Sequence, residues 1–115
     1  MTANRKTNRT TSAKTEMGDD LRITKTTRRA SGGGTWVCGT IAGYRFDALV
    51  FPEHAECSDW ELGTSRISKL WIAKTSNKET VFNWDRGMDR PAASVKTQAV
   101  VDFLAAGLAE MVYHV

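Results

Sequence analysis

Apolar residues enter this chain late. Through Gly32 the apolar side chains are Met1, Ala3, Ala13, Met17, Leu21, Ile23 and Ala30, with no aromatic among them. Thr, Lys, Arg, Asn and Ser fill the rest. Such a stretch buries too little surface to offset the entropy of ordering it. It predicts a disordered tail over residues 1–34, ending in the flexible linker Ser31–Gly34. The folded domain is then expected over residues 35–115.

From Thr35 the pattern changes. Val37 and Ile41 alternate with polar or small residues, and Tyr44, Phe46, Ala48 and Val50 then share one face. Period-two alternation marks strands. Ala42-Gly43 between the two runs predicts a tight hairpin turn with Gly43 at positive φ. Pro52 lacks a ladder donor and should end the second strand. Arg66–Lys74 reads as a third strand, with Ser68, Leu70 and Ile72 facing one way and Ile67, Lys69 and Trp71 the other. Thr80–Asp85 reads as a fourth, with Phe82 and Trp84 on one face. In Ser94–Val115, Val100, Phe103, Leu104, Leu108 and Met111 recur at helical spacing. Gly107 interrupts that stripe, and close packing against the sheet would explain it.

Four antiparallel strands and one helix predict an α+β, two-layer domain: a sheet covered on one face by the C-terminal helix. The other face should lie open, with Arg45, Asp47, Lys69 and Trp71 on it. Antiparallel sheets with one free face need no ligand to explain them. A charged and aromatic sheet face is also a surface for protein partners or for stacked bases.

Charge follows the same division. The first 34 residues hold eight Lys and Arg against three carboxylates, a net of +5, which leaves −2 for the rest of a chain whose total is +3. The sequence pI of about 9.1 therefore belongs to the tail. Arg5, Lys6, Arg9, Lys14, Arg28 and Arg29 are its candidate phosphate contacts. A solvated, unstructured extension is the plainer reading. Residues 52–65 show no period and predict a long loop carrying Glu53, Glu56, Asp59 and Glu61 around Trp60. This loop is the candidate partner-binding segment. Trp60 also reads as a lid over the core.

The stretch VFNWDRGMDRP (Val81 to Pro91) concentrates Asp85, Arg86, Gly87 and Asp89. As structure it is a corner between the last strand and the helix, with Gly87 making the reversal and Arg86 and Arg90 pairing with Asp85 and Asp89. Asp89 or Ser94 would cap the helix. As chemistry, Asp85 and Asp89 form a carboxylate pair that lacks a third ligand and a base. Cys38, His54, Cys57 and His114 could in principle make a Cys2His2 set, but only His54 and Cys57 have paired spacing. No metal and no cofactor is expected. No Ser-His-Asp or Cys-His arrangement and no phosphate loop is evident, so an enzyme is not expected. No run of apolar residues suits a signal peptide or a membrane span. The expected location is the cytoplasm, with both cysteines reduced.

Three segments carry a resemblance: GTWVCGTIAGYRFDALVF, SRISKLWI and VFNWDRGMDRP. They resemble a family of short, uncharacterised proteins of phages and plasmids, whose members run Trp-x-x-Gly-x-Ile-x-Gly-x-x-Phe, then Gly-Arg-Ile-Ser-Lys-Leu-Trp-Ile, then Asn-Tyr-Asp-Arg-Gly-Trp-Asp. Trp36, Gly39, Ile41, Gly43 and Phe46 match the first, Arg66 through Ile72 the second, and Asn83, Asp85, Arg86, Gly87 and Asp89 the third. Trp84 replaces the Tyr, Met88 the second Trp, and Ser65 the usual Gly. The resemblance covers Gly34 to Pro91 and implies no activity. Its implication is a mobile-element accessory protein. The leading expectation is thus a non-catalytic interaction protein that binds a host protein, a defence complex such as a CRISPR effector being one target class. The alternative is a nucleic-acid-binding accessory protein using the tail and Trp71.

Overall fold

Ala42 and Gly43 take left-handed backbone, φ 54° and 84°. They close the two-residue hairpin between β2 (Thr35–Ile41) and β3 (Tyr44–Val50), with Ile41 opposite Tyr44. This right-twisting turn is the connection the alternating pattern predicts. The computed structural model describes residues 17–113. Within them, β1 (Arg22–Arg28), β2, β3, β4 (Ile67–Lys74), β5 (Thr80–Asp85) and β6 (Met88–Arg90) form one antiparallel sheet in sequential order. The helix α1 (Val95–Tyr113) lies over one face.

The sheet has six strands, where four were expected. β1 lies in the segment read as disordered tail. All seven of its residues are exposed, so it leaves no apolar alternation to read. Backbone pairing with β2 and strand-favouring Thr side chains account for it. Leu21, just before it, packs on the core. The Asp20 carboxylate accepts the Ala42 N–H at 3.1 Å from each oxygen. Ser31–Gly34, expected as a flexible linker, belongs to the β1–β2 connection: Arg29 donates through Nε to Gly33 O at 2.6 Å and through Nη2 to Gly32 O at 3.1 Å.

β6 is the second unexpected strand. The segment read as a corner into the helix is the β5–β6 hairpin, with Asp85 N–H donating to Gly87 O at 2.9 Å. Arg86 (φ 54°) and Gly87 (φ 154°) turn the chain. The expected lock of Asp85 and Asp89 with Arg86 and Arg90 is replaced. Lys69 pairs with Asp85 at 3.6 Å, and Asn83 Nδ2 donates to Asp89 at 3.3 Å. Among the described residues no ion pair joins either arginine to either aspartate. The helix cap is Ser94, whose Oγ accepts the Thr97 N–H at 3.1 Å.

Two bulges alter side-chain parity. Val50 pairs with Ile67 and Leu49 with Lys69, so Ser68 is an extra residue and Ile67 joins the core, contrary to simple alternation. A second irregularity between Ile72 and Ala73 buries both Val81 and Phe82. The core joins Val37, Phe46, Ile72 and Phe82 to Val100, Val101, Leu104 and Leu108 of α1. Buried Thr97 donates to Tyr44 Oη at 3.1 Å, and Tyr113 Oη donates to Val50 O at 2.9 Å, which fastens both ends of the helix to β3. Met111, expected in the stripe, is 46% exposed. Gly107 faces open space, so close packing does not explain it.

Candidate partner-docking surface

The face of the sheet away from α1 presents Trp36 and Cys38 of β2, Arg45, Asp47 and Leu49 of β3, Lys69 and Trp71 of β4, and Asn83 and Asp85 of β5. Register places them in rows: Cys38, Asp47, Trp71 and Asn83 in one, and Trp36, Leu49, Lys69 and Asp85 in the next. The expected quartet Arg45, Asp47, Lys69 and Trp71 is thus gathered on one face. Arg45 lies over the Trp71 ring at 5.9 Å, and Trp71 Nε1 donates to Thr80 Oγ1 at 3.0 Å, which pins the indole. Burial pushes the Cys38 thiol above its ordinary value, and the adjacent Asp47 carboxylate adds to the rise. Cys38 is therefore a neutral thiol at neutral pH.

At one end of this face lies a groove of about 530 Å³. Leu49 and Phe51 form its floor, Gly33 and Gly34 one wall, and the 52–61 loop the other. A Cβ at Gly34 would sit 3.0 Å from the Phe51 ring and 3.2 Å from Leu49, so glycine lets the β1–β2 connection close down on the floor. Arg29 stacks over Phe51 at 5.7 Å. Arg66, at φ 64°, bonds Pro52 O at 2.8 Å and Glu110 at 2.7 Å. Lys69 and Arg86 complete the basic lining, and Glu53 and Glu56 the acidic one.

The loop is fastened from within. Glu61 is 5% exposed. Its carboxylate accepts the Ala55 N–H at 2.6 Å, the Arg66 N–H at 3.2 Å and His54 Nδ1–H at 2.8 Å. Burial alone would raise its pKa, but these three bonds together outweigh burial and hold the carboxyl below its usual range. Glu61 thus turns inward, while Trp60, on the 3-10 turn Ser58–Trp60, stands 52% exposed at the groove. The loop quintet divides accordingly: Glu53, Glu56, Asp59 and Trp60 face outward and Glu61 does not.

Of the tail candidates, Arg28 ends β1, Arg29 lines the groove, and Arg5, Lys6, Arg9 and Lys14 lie outside the described residues. His114 lies outside them too. Cys38 and Cys57 are unbonded to each other, and no cluster of three potential metal ligands occurs among the described residues. No helix among the described residues is long and apolar enough to cross a membrane. Trp36 and Phe51 were not among the expected site residues, and Arg86, expected as part of the structural corner, also lines the groove. Strand parity carries a signal for Trp36, two residues before Cys38. Phe51 and Arg86 reach the groove only through loop closure and a hairpin, which parity does not encode.

Among the described residues, an antiparallel meander with one covering helix and one free face defines a small two-layer α+β domain. The chain belongs to a family described as a domain of unknown function, DUF7678, whose model matches residues 35–109. No curated protein matches the chain, and no solved structure does.

Proposed function

We propose that this domain is a non-catalytic interaction module, an accessory protein of a phage or plasmid. It binds a host protein through the groove and the uncovered sheet face. A nucleic-acid-handling defence complex is the target class that suits a surface of mixed charge. The observation that carries this reading is Trp60. A half-exposed indole stands at an apolar-floored groove, on a loop already fixed by the buried Glu61 carboxylate. Tryptophan concentrates at binding hot spots. A pre-fastened loop lowers the ordering entropy paid on association. Glu53 and Glu56 supply outward negative charge that steers a basic partner.

A second reading is nucleic-acid binding, favoured by Arg29, Lys69 and Arg86 around the same groove. One pair of variants separates the two. With a protein partner, capture from nuclease-treated host lysate should be lost in Trp60→Ala and weakened in Glu53→Lys/Glu56→Lys. With nucleic acid, the charge reversal should tighten binding to single- or double-stranded DNA, because it removes repulsion from phosphate.

A further inference from the structure

Beside the groove, the uncovered face holds a smaller cavity of about 220 Å³ lined by Trp36, Asp47, Lys69, Trp71 and Asn83 among others. That is below the size of pockets that hold whole small molecules, and it suits the end of one side chain. One oxygen of Asp47, Oδ1, is fully enclosed and accepts no hydrogen bond. A buried carboxylate oxygen without a donor is costly, and folds do not ordinarily leave one. The nearby ammonium does not serve it, since Lys69 pairs with Asp85. Asp47 stands across from Trp71 on β4 and from Cys38 on β2, and Trp36 follows on the same face one row along. The enclosed oxygen belongs to a carboxylate that shares this cavity with the Trp36 and Trp71 indoles, and negative charge there repels phosphate and attracts a cation. The molecule already uses Trp71 this way, through its own Arg45.

We propose that Asp47, Trp36 and Trp71 form a subsite for the guanidinium group of an arginine on the partner protein. This rests on the docking reading above and gives it a chemical specificity. Guanidinium is planar, stacks on indole faces, sheds water more readily than ammonium, and presents several N–H donors to one carboxylate. The occupant is an arginine of a polypeptide; a nucleobase, which could also stack and donate, is the outcome the test must exclude.

The test uses the full chain and 1H–15N spectra of its indole N–H groups. The probes are acetyl-Gly-Arg-Gly-amide, the matched citrulline and lysine peptides, and guanosine monophosphate. The arginine peptide should shift the Trp36 and Trp71 signals, the citrulline peptide should not, and the lysine peptide should bind more weakly. Asp47→Asn should weaken the arginine response about tenfold or more while Tm holds or rises, because the variant removes a charge whose enclosed oxygen has no donor. Equal responses to arginine and citrulline or to arginine and lysine, an unchanged response in Asp47→Asn, a clear fall in its Tm, or a stronger shift with the nucleotide would each overturn the proposal. The peptide experiment needs no partner. If it succeeds while Trp60→Ala leaves partner capture intact, the groove reading falls and the subsite stands; the reverse pattern removes the subsite alone.

Discussion

His54 Nδ1 donates to the Glu61 carboxylate at 2.8 Å, with His54 largely in solvent and Glu61 almost wholly out of it. The exposed partner therefore caps a buried charge, and the bond joins the outer loop to the turn that leads into β4. Glu61→Gln should destabilise the domain by roughly 1–3 kcal/mol at neutral pH, since a charged acceptor is exchanged for a weaker one that also brings donors. The folded carboxyl is held below the ordinary glutamate range. Its contribution is therefore complete above that range and fades as pH falls through the lower folded value. The gap between wild type and Glu61→Gln in urea unfolding should be widest near pH 7 and shrink below about pH 4.5. A gap that does not change with pH would mean that the carboxylate charge contributes nothing.

Starting the chain at Gly33 should lower Tm markedly. It removes β1, the Leu21 contact with the core and the Asp20 bonds to the Ala42 N–H, and it leaves β2 as a bare edge. Thermal unfolding and light scattering would report this as a lower midpoint with self-association. An unchanged midpoint would mean that β1 adds nothing to the fold.

Gly107→Ala should stabilise the domain by about 0.5–1 kcal/mol, because alanine favours helix over glycine and a Cβ there meets nothing within 4 Å. Urea midpoints measure it. A loss of stability would reveal a contact at that helix position.

Gly87→Val should cost roughly 1–3 kcal/mol, because φ 154° is a backbone that a β-branched residue adopts only under strain. The β5–β6 hairpin would be the element affected. Equal urea midpoints for the two chains would mean that the hairpin tolerates an ordinary backbone at this position.

These predictions mark where the sequence was readable. Alternation showed β2, β3, β4 and β5, Ala42-Gly43 showed their first turn, and the apolar stripe showed α1, because each of these buries one face. β1 and β6 bury no side chain and are held by backbone ladders with polar side-chain bonds from Thr24 and to Asp89, so hydropathy carries no trace of them. The Ser68 and Val81 irregularities displace parity by one residue, which is how Ile67 came to be expected on the wrong face. On the binding surface, Asp47 and Trp71 were legible from strand parity. The inward turn of Glu61 was not, since it depends on N–H donors from Ala55 and Arg66 that only the folded loop brings together.

The central claim is that the groove beside Trp60 holds a protein partner, and site-specific photo-cross-linking tests it most directly. A photoreactive residue placed at position 60, in nuclease-treated host lysate, should give one discrete cross-linked protein. The same residue at Val95, exposed at the start of α1, should give none. Addition of unlabelled wild-type chain should compete the product away, and the Glu53→Lys/Glu56→Lys background should weaken it. Cross-links at position 60 that vanish with nuclease, or that match those at position 95, would contradict the account.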